Sequence, residues 1–204
     1  MRRTLNACII LIFAAVWLSA QSADEQARTV VKTDSRIEFH ATATFEKVTG
    51  VFHLWEADLK MPVDDFAKAL LNLEMDSESV TTGSGLRDKE TKGKNFFDVK
   101  EYPKVTFVSK SIVADSDPSK FHMNAELTLR GITKPVSVAV TVQPQPNGHR
   151  WVDGNFSFNR RDFGMIHNVP FNKVANTILV QFHLDVAGTP APAATATPAA
   201  QAQP

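Results

Sequence analysis

Covalent and redox chemistry have almost nothing to work with in this chain: one cysteine and one tyrosine occur in 204 residues. The cysteine, Cys8, lies in an N-terminal stretch that reads as a leader. Without it the mature protein has no disulfide, no thiol nucleophile and no sulfur metal ligand. Long basic runs are also missing. Lys and Arg number 22 against 22 Asp and Glu, and loss of Arg2 and Arg3 with a leader leaves 20 against 22. That balance argues against nucleic acid, and against an anionic membrane surface, as partners. Catalytic signatures are equally scarce. "TGSGL" at residues 82–86 is not Gly-x-Ser-x-Gly and lacks the strand-to-helix setting of a nucleophile elbow. No His-Glu-x-x-His pair, Walker loop or dinucleotide fingerprint occurs, and the six histidines have no close ligand spacing. The sequence therefore predicts no enzyme, no metal site and no catalytic residues.

The two ends do not read as folded domain. Arg2 and Arg3 precede the apolar run "ACIILIFAAVWLSA", too short for a good spanning helix and laid out as a secretory signal peptide over residues 1–22. A periplasmic or secreted protein is expected. The tail, residues 188–204, is rich in Pro, Ala and Thr, has no charge or large apolar group, and is expected to be disordered. Residues 30–187 have the size of one domain.

Within that domain the dominant period is two. Ile37, Phe39, Ala41 and Ala43 alternate with polar residues, as do Met123, Ala125, Leu127 and Leu129, then Val136, Val138, Val140 and Val142, then Ile178, Val180, Phe182, Leu184 and Val186. Each reads as a strand with one apolar face. Such clean alternation argues for an antiparallel sheet with one side in water. Between Phe52 and Trp55 the alternation changes phase, which predicts a bulge or bend. Leu71, Leu73 and Met75, then Val105 and Phe107, then Phe156 and Phe158 supply weaker strands, for about eight in all. His40 and His53 are expected to face each other across the first hairpin as solvated side chains. Residues 62–70 suggest a helical turn capped by Asp64 or Asp65. "LRDKETK" predicts a short helix ending at Gly93, in a connection too long to be structureless. Phe96 and Phe97 come after it, either as a hydrophobic plug or as a lid over an apolar interior. Periodicity alone leaves a two-sheet sandwich and a closed barrel equally open.

The ordered segments "VTGVFHLWEADL", "SVTTGSGLRDKETKGKNFFDVKEYPKVTFVS", "AELTLRGITKPVSVAV" and "FNRRDFGM" resemble the motifs of the YceI-like family of secreted bacterial proteins, over about residues 35–186. The resemblance implies an all-β, eight-stranded antiparallel lipocalin-like β-barrel with short helices in the connections. It also implies an apolar interior that binds polyisoprenoids. Where many members continue past Arg87-Asp88 with a histidine, this chain has Lys89-Glu90-Thr91, so no role of that histidine carries over.

The ligand expected on this basis is an isoprenoid lipid, quinone-like or a polyprenyl carrier, held for storage or transport in the periplasm. The alternative is an interaction or stress-response module with a self-packed barrel. A tail burying about twenty carbons gains roughly 16 kcal/mol gross, enough for tight binding after ordering costs without a salt bridge. The expected contact residues are Phe39, Phe52, Phe97, Phe107, Met123, Leu127, Val138, Val140, Phe156, Phe158, Val180 and Phe182. Arg87, Asp88, Arg160, Arg161 and Asp162 are expected either to fix loops by ion pairing or to meet a head group. A membrane or lipid-delivery partner, and a monomer or homodimer, complete the expectations.

Overall fold

The computed structural model describes residues 26–62, 65–166 and 173–188. Residues 1–25 with Cys8, the stretch beyond Gly188, Asp64, and residues 168–172 of "NVPFNKVAN" lie outside the described residues. Eleven strands among those residues form one sheet, in place of the eight expected. They are β1 (Gln26–Arg28), β2 (Arg36–Thr42), β3 (Lys47–Phe52), β4 (Trp55–Met61), β5 (Leu70–Asp76), β6 (Val80–Thr81), β7 (Lys104–Ala114), β8 (Lys120–Leu129), β9 (Ile132–Pro144), β10 (Arg150–Asn159) and β11 (Thr177–Val186). Every pairing is antiparallel. The difference in count has two causes. The single strand expected from Val48 onward breaks at His53-Leu54 into β3 and β4. The pieces β1 and β6 are too short to show any alternation.

That break is the phase change seen in the sequence. Phe52 and Trp55 are both buried although three residues apart, because the backbone turns a corner between them. The Leu54 carbonyl accepts from Asp76 N at 2.9 Å and Leu54 N donates to Ser79 Oγ at 3.0 Å, so the corner has hydrogen-bonding partners. The sheet order β1-β4-β5-β7-β8-β9-β10-β11-β2-β3-β6 thus begins and ends beside two strands consecutive in the chain. The sheet curls into a lipocalin-like half-barrel. Short pieces stitch its edges. β6 pairs with β3. β1 pairs with β4, and the residues after it cross to β11, where Val31 N donates to Asp185 O at 2.8 Å and Ala187 N to Thr29 O at 2.9 Å.

Local chemistry fixes the register. β8 and β9 are joined by Arg130 and Gly131, with φ of 52° and 70°, opposite the pair Leu129↔Ile132. Two positive φ values in a two-residue loop match the strands' right-handed twist. In β7 the register shifts between Ser109 and Ser111. Ser109 keeps the inward phase of Val105 and Phe107, its Oγ accepting from Leu71 N at 2.8 Å, and the bulge after it brings Ile112 into the core. The 3-10 turn Phe66–Lys68 follows Asp65, but Asp65 makes no side-chain cap. It pairs with Lys68 at 2.8 Å instead, and that contact lowers its pKa. Nor do His40 and His53 face each other: His40 meets Thr49 and His53 meets Thr81, because Ile37 pairs with Phe52 and sets His40 opposite Thr49. Asp185, which alternates with the core residues Leu184 and Val186, is nonetheless buried where the segment from β1 crosses β11. There it accepts from His149 Nδ1 at 2.9 Å.

The inward faces form one core divided along the strands. Toward the β7–β8 and β9–β10 turns it is packed solid. Met123, Val138 and Leu184 have no measurable exposure, and the Phe66 and Phe121 rings meet edge-on at 4.9 Å.

Candidate functional site

The other half of the interior is not filled. A cavity of about 160 Å³ lies at the end where the β2–β3, β8–β9 and β10–β11 connections meet helix α1 (Gly85–Lys92). Phe39, Phe52, Phe107, Leu127, Phe156, Phe158, Val180 and Phe182 line it from the strands, and Phe97 from the connection after α1. Met123, Val138 and Val140 are on the same inward faces but do not reach the cavity. They sit deeper, in the packed half, where Met123 pairs with Val138 and Phe121 with Val140. Alternation reports which face a residue occupies and nothing about its height along the barrel.

Two glycines open the space. Gly50 is opposite Phe39, and Gly154 is opposite Phe182. A Cβ at Gly50 would lie 2.2 Å from the Phe39 ring, and one at Gly154 would lie 2.0 Å from the Phe182 ring. Both rings therefore lie flat across the neighbouring strand, in the notch left by the missing side chain, instead of standing into the bore. An apolar space with this lining stays dry or takes up an apolar guest.

Phe97 closes the top. Its ring lies 5.6 Å from Phe39 and 5.8 Å from Phe52, and it is almost fully buried. Phe96 is half-buried beside it and also lines the cavity. Their loop is tied back to α1 by Phe97 N→Thr91 O at 2.9 Å and Val99 N→Lys92 O at 3.1 Å. Arg130, from the β8–β9 turn, donates to Phe96 O at 2.6 Å and Lys94 O at 2.7 Å while its guanidinium covers the Tyr102 ring. Helix α1 runs over the expected segment and stops at Gly93.

The polar residues of the site gather at its rim: Glu46, Arg87, Glu90, Thr91 and Arg160. Arg87 pairs with Glu46 and donates to Thr82 O at 3.1 Å. Its Nε is buried and has no partner among the described residues. Asp88 faces away from the cavity and accepts from Thr82 N and Thr82 Oγ, each at 2.6 Å. The Thr82 hydroxyl above all, helped by the amide, lowers the Asp88 pKa. Arg160 is 1% exposed. It donates to the carbonyls of Ala175 and Val174, both at 3.1 Å, and to that of Met165. Burial first, and the Arg161 charge second, lower its pKa below the ordinary guanidinium value. Arg161 and Asp162 are exposed. Asp88 and Arg160 thus fix loops through backbone and hydroxyl groups. Arg87 is ion-paired and also faces the cavity.

Several lining residues were missing from the expected set. Ile37, Ala41, Ala43 and Ile178 share the alternating face of Phe39 and Val180, so their signal was present. Met165 and Val174 reach the cavity from the β10–β11 connection, where no period marks them.

Known proteins carry the same pattern. A family model described as the YceI-like domain matches residues 29–186. A UPF0312 protein of Pseudomonas savastanoi pv. phaseolicola is 28% identical over 123 residues. That match covers 58% of this chain and 64% of the relative, so the chain spans a little under two thirds of that relative's length. The crystal structure of Burkholderia cenocepacia BcnA superposes with a TM-score of 0.67 at 27% identity, covering 78% of this chain and 99% of that one. A polyisoprenoid binding domain from Saccharophagus degradans, implicated in plant cell wall breakdown, superposes with a TM-score of 0.61. It is 16% identical, over 80% of this chain and 98% of that one, which establishes shared fold alone.

Proposed function

The chain belongs to the YceI-like family, and from that membership and the cavity we propose that it binds an isoprenoid lipid, as a carrier or store in the periplasm. The observation that carries this reading is an apolar space kept open by two glycines whose facing phenylalanines lie flat. A core selected only for stability would fill that space with its own side chains, because unfilled space forfeits dispersion contacts. The Saccharophagus relative, a polyisoprenoid binding domain of the same fold, supports the choice of guest.

The size of the cavity revises the energetics. At about 160 Å³ it is close to an engineered apolar cavity of ~150 Å³ that admits benzene. About six carbons fit without rearrangement, for a gross gain of roughly 5 kcal/mol. The remainder of a long tail would lie in the open mouth, or enter as Phe96 and Phe97 swing aside. Plug and lid are then one device in two positions. The polar head stays at the rim, where Arg87 Nε is the donor offered to a head-group oxygen.

Native mass spectrometry of gently purified protein is the direct test. An apolar adduct is expected, and affinity for added prenols should rise with each isoprene unit. Affinity independent of tail length would refute the reading. The self-packed alternative draws support from the Met123–Val138 half of the core, and it predicts no adduct and no uptake.

A further inference from the structure

The mouth end of the half-barrel carries a surface that ligand binding does not use. Of eight large hydrophobic side chains left exposed among the described residues, four lie in or beside the segments that ring the cavity: Phe45, Leu86 in α1, Ile132 at the start of β9 and Ile166, with Leu86 82% and Phe45 77% exposed. Each adjoins the site. Phe45 precedes the lining residue Glu46, Leu86 precedes Arg87, and Ile166 follows Met165. Ile132 is next to Gly131 in the β8–β9 turn. None of the four lines the cavity.

The charges around them are one-sided. Lys47, Lys89, Lys94, Lys100, Lys134, Arg161 and Lys173 stand exposed in these segments and the first residues of the strands they join, against the exposed carboxylates Glu90, Glu101 and Asp162. At the opposite end charges of both signs are paired, Asp117 with Lys120 and Asp65 with Lys68. The even total of 22 cations and 22 anions hides this local excess, which is why composition alone argued against a charged surface as partner.

We propose that the mouth docks on an anionic lipid bilayer. Apolar tips on separate segments reach the acyl boundary, and the ring of cations meets the phosphates. A tail then passes between bilayer and cavity without crossing water. This inference rests on the lipid-binding reading above and adds where the lipid is exchanged. A protein partner recognising the same face would call for a flat or grooved patch. Isolated side chains on four separate segments around an opening suit a deformable surface better.

Vesicle flotation of the mature chain tests the proposal, with phosphatidylcholine vesicles and with vesicles that also contain phosphatidylglycerol. Binding to the mixed vesicles is expected, weakened by added salt and roughly tenfold or more weaker on phosphatidylcholine alone. Replacing Phe45→Asp and Leu86→Asp together should reduce binding to the mixed vesicles by roughly tenfold or more, while Val113→Asp, at an exposed hydrophobic on another face, should not. A Leu86→Trp reporter should shift to the blue when those vesicles are added. No flotation with anionic vesicles, or equal loss in the Val113 control, overturns the idea. So does a concentration-dependent dimer that the paired substitutions abolish while vesicle binding is absent, since that would assign the face to a second copy. Prenol binding measured in detergent-free solution on the same variants separates the two claims. If it persists while flotation fails, only docking falls; if it is absent while flotation holds, the cavity reading falls.

Discussion

Replacing Gly154 with Ala addresses the cavity with a single methyl group. The new Cβ would lie 2.0 Å from Phe182 Cζ and 2.4 Å and 2.5 Å from the two Cε atoms. To regain ordinary contact at 3.4 Å the ring must withdraw by about 1.4 Å, and the open direction is into the cavity. Because the ring moves into empty space, the stability cost should sit at the low end of the ~1–3 kcal/mol typical of overpacking. Binding should suffer more. Displacing two or three buried carbons of a guest costs about 2 kcal/mol, or roughly thirtyfold in Kd. Calorimetric titration with a short prenol, beside urea unfolding of each variant, provides both numbers. Gly50→Ala should act the same way through Phe39. Adding Phe182→Leu to Gly154→Ala should restore part of the affinity, since the shorter side chain relieves the clash, and the four proteins close a double-mutant cycle. Unchanged affinity in folded Gly154→Ala would refute the reasoning, as would a structure with the ring in place and strand β10 displaced.

Three further outcomes are expected. Phe97→Ala removes a ring packed on Phe39 and Phe52, so it should cost about 3–5 kcal/mol in urea unfolding and speed ligand release in stopped-flow. Unaltered release would leave Phe97 a plug and no lid. Arg160→Met leaves the carbonyls of Met165, Val174 and Ala175 without their guanidinium donor, for a loss of roughly 3 kcal/mol or more by the same unfolding assay, and Arg160→Lys should not rescue it because an ammonium cannot span that fork. The Ser119 hydroxyl and amide, with Lys120, lower the Asp117 carboxyl to about 2. A depressed folded-state value contributes stability that is complete above the unfolded value near 4 and is lost as pH falls toward about 2. Carbon-13 titration should therefore find a midpoint near 2, and Asp117→Asn should flatten that segment of the stability profile.

Reading the sequence reached far where the physics is local. Alternation in 36–43, 121–129, 136–142 and 177–186 is a period-two property of each strand, and those strands are present. The corner at His53-Leu54 announced itself as a lost phase, and α1 as "LRDKETK" closed by Gly93. Most of the cavity wall came from the same alternation, because facing inward is decided residue by residue.

Height along the barrel and crossings between distant segments belong to the tertiary structure alone. Met123, Val138 and Val140 carry the same pattern as Leu127 and Val180, yet they fill the packed half, since depth depends on how neighbouring strands are staggered. Asp185 is buried because a segment some 150 residues earlier crosses its strand, and no local period encodes that crossing. The flat rings of Phe39 and Phe182 arise from pairings between strands, which set each opposite its glycine. Local charge obeys the same logic: the sequence determined that positive and negative residues balance overall, and only folding gave one opening its exposed excess of cations.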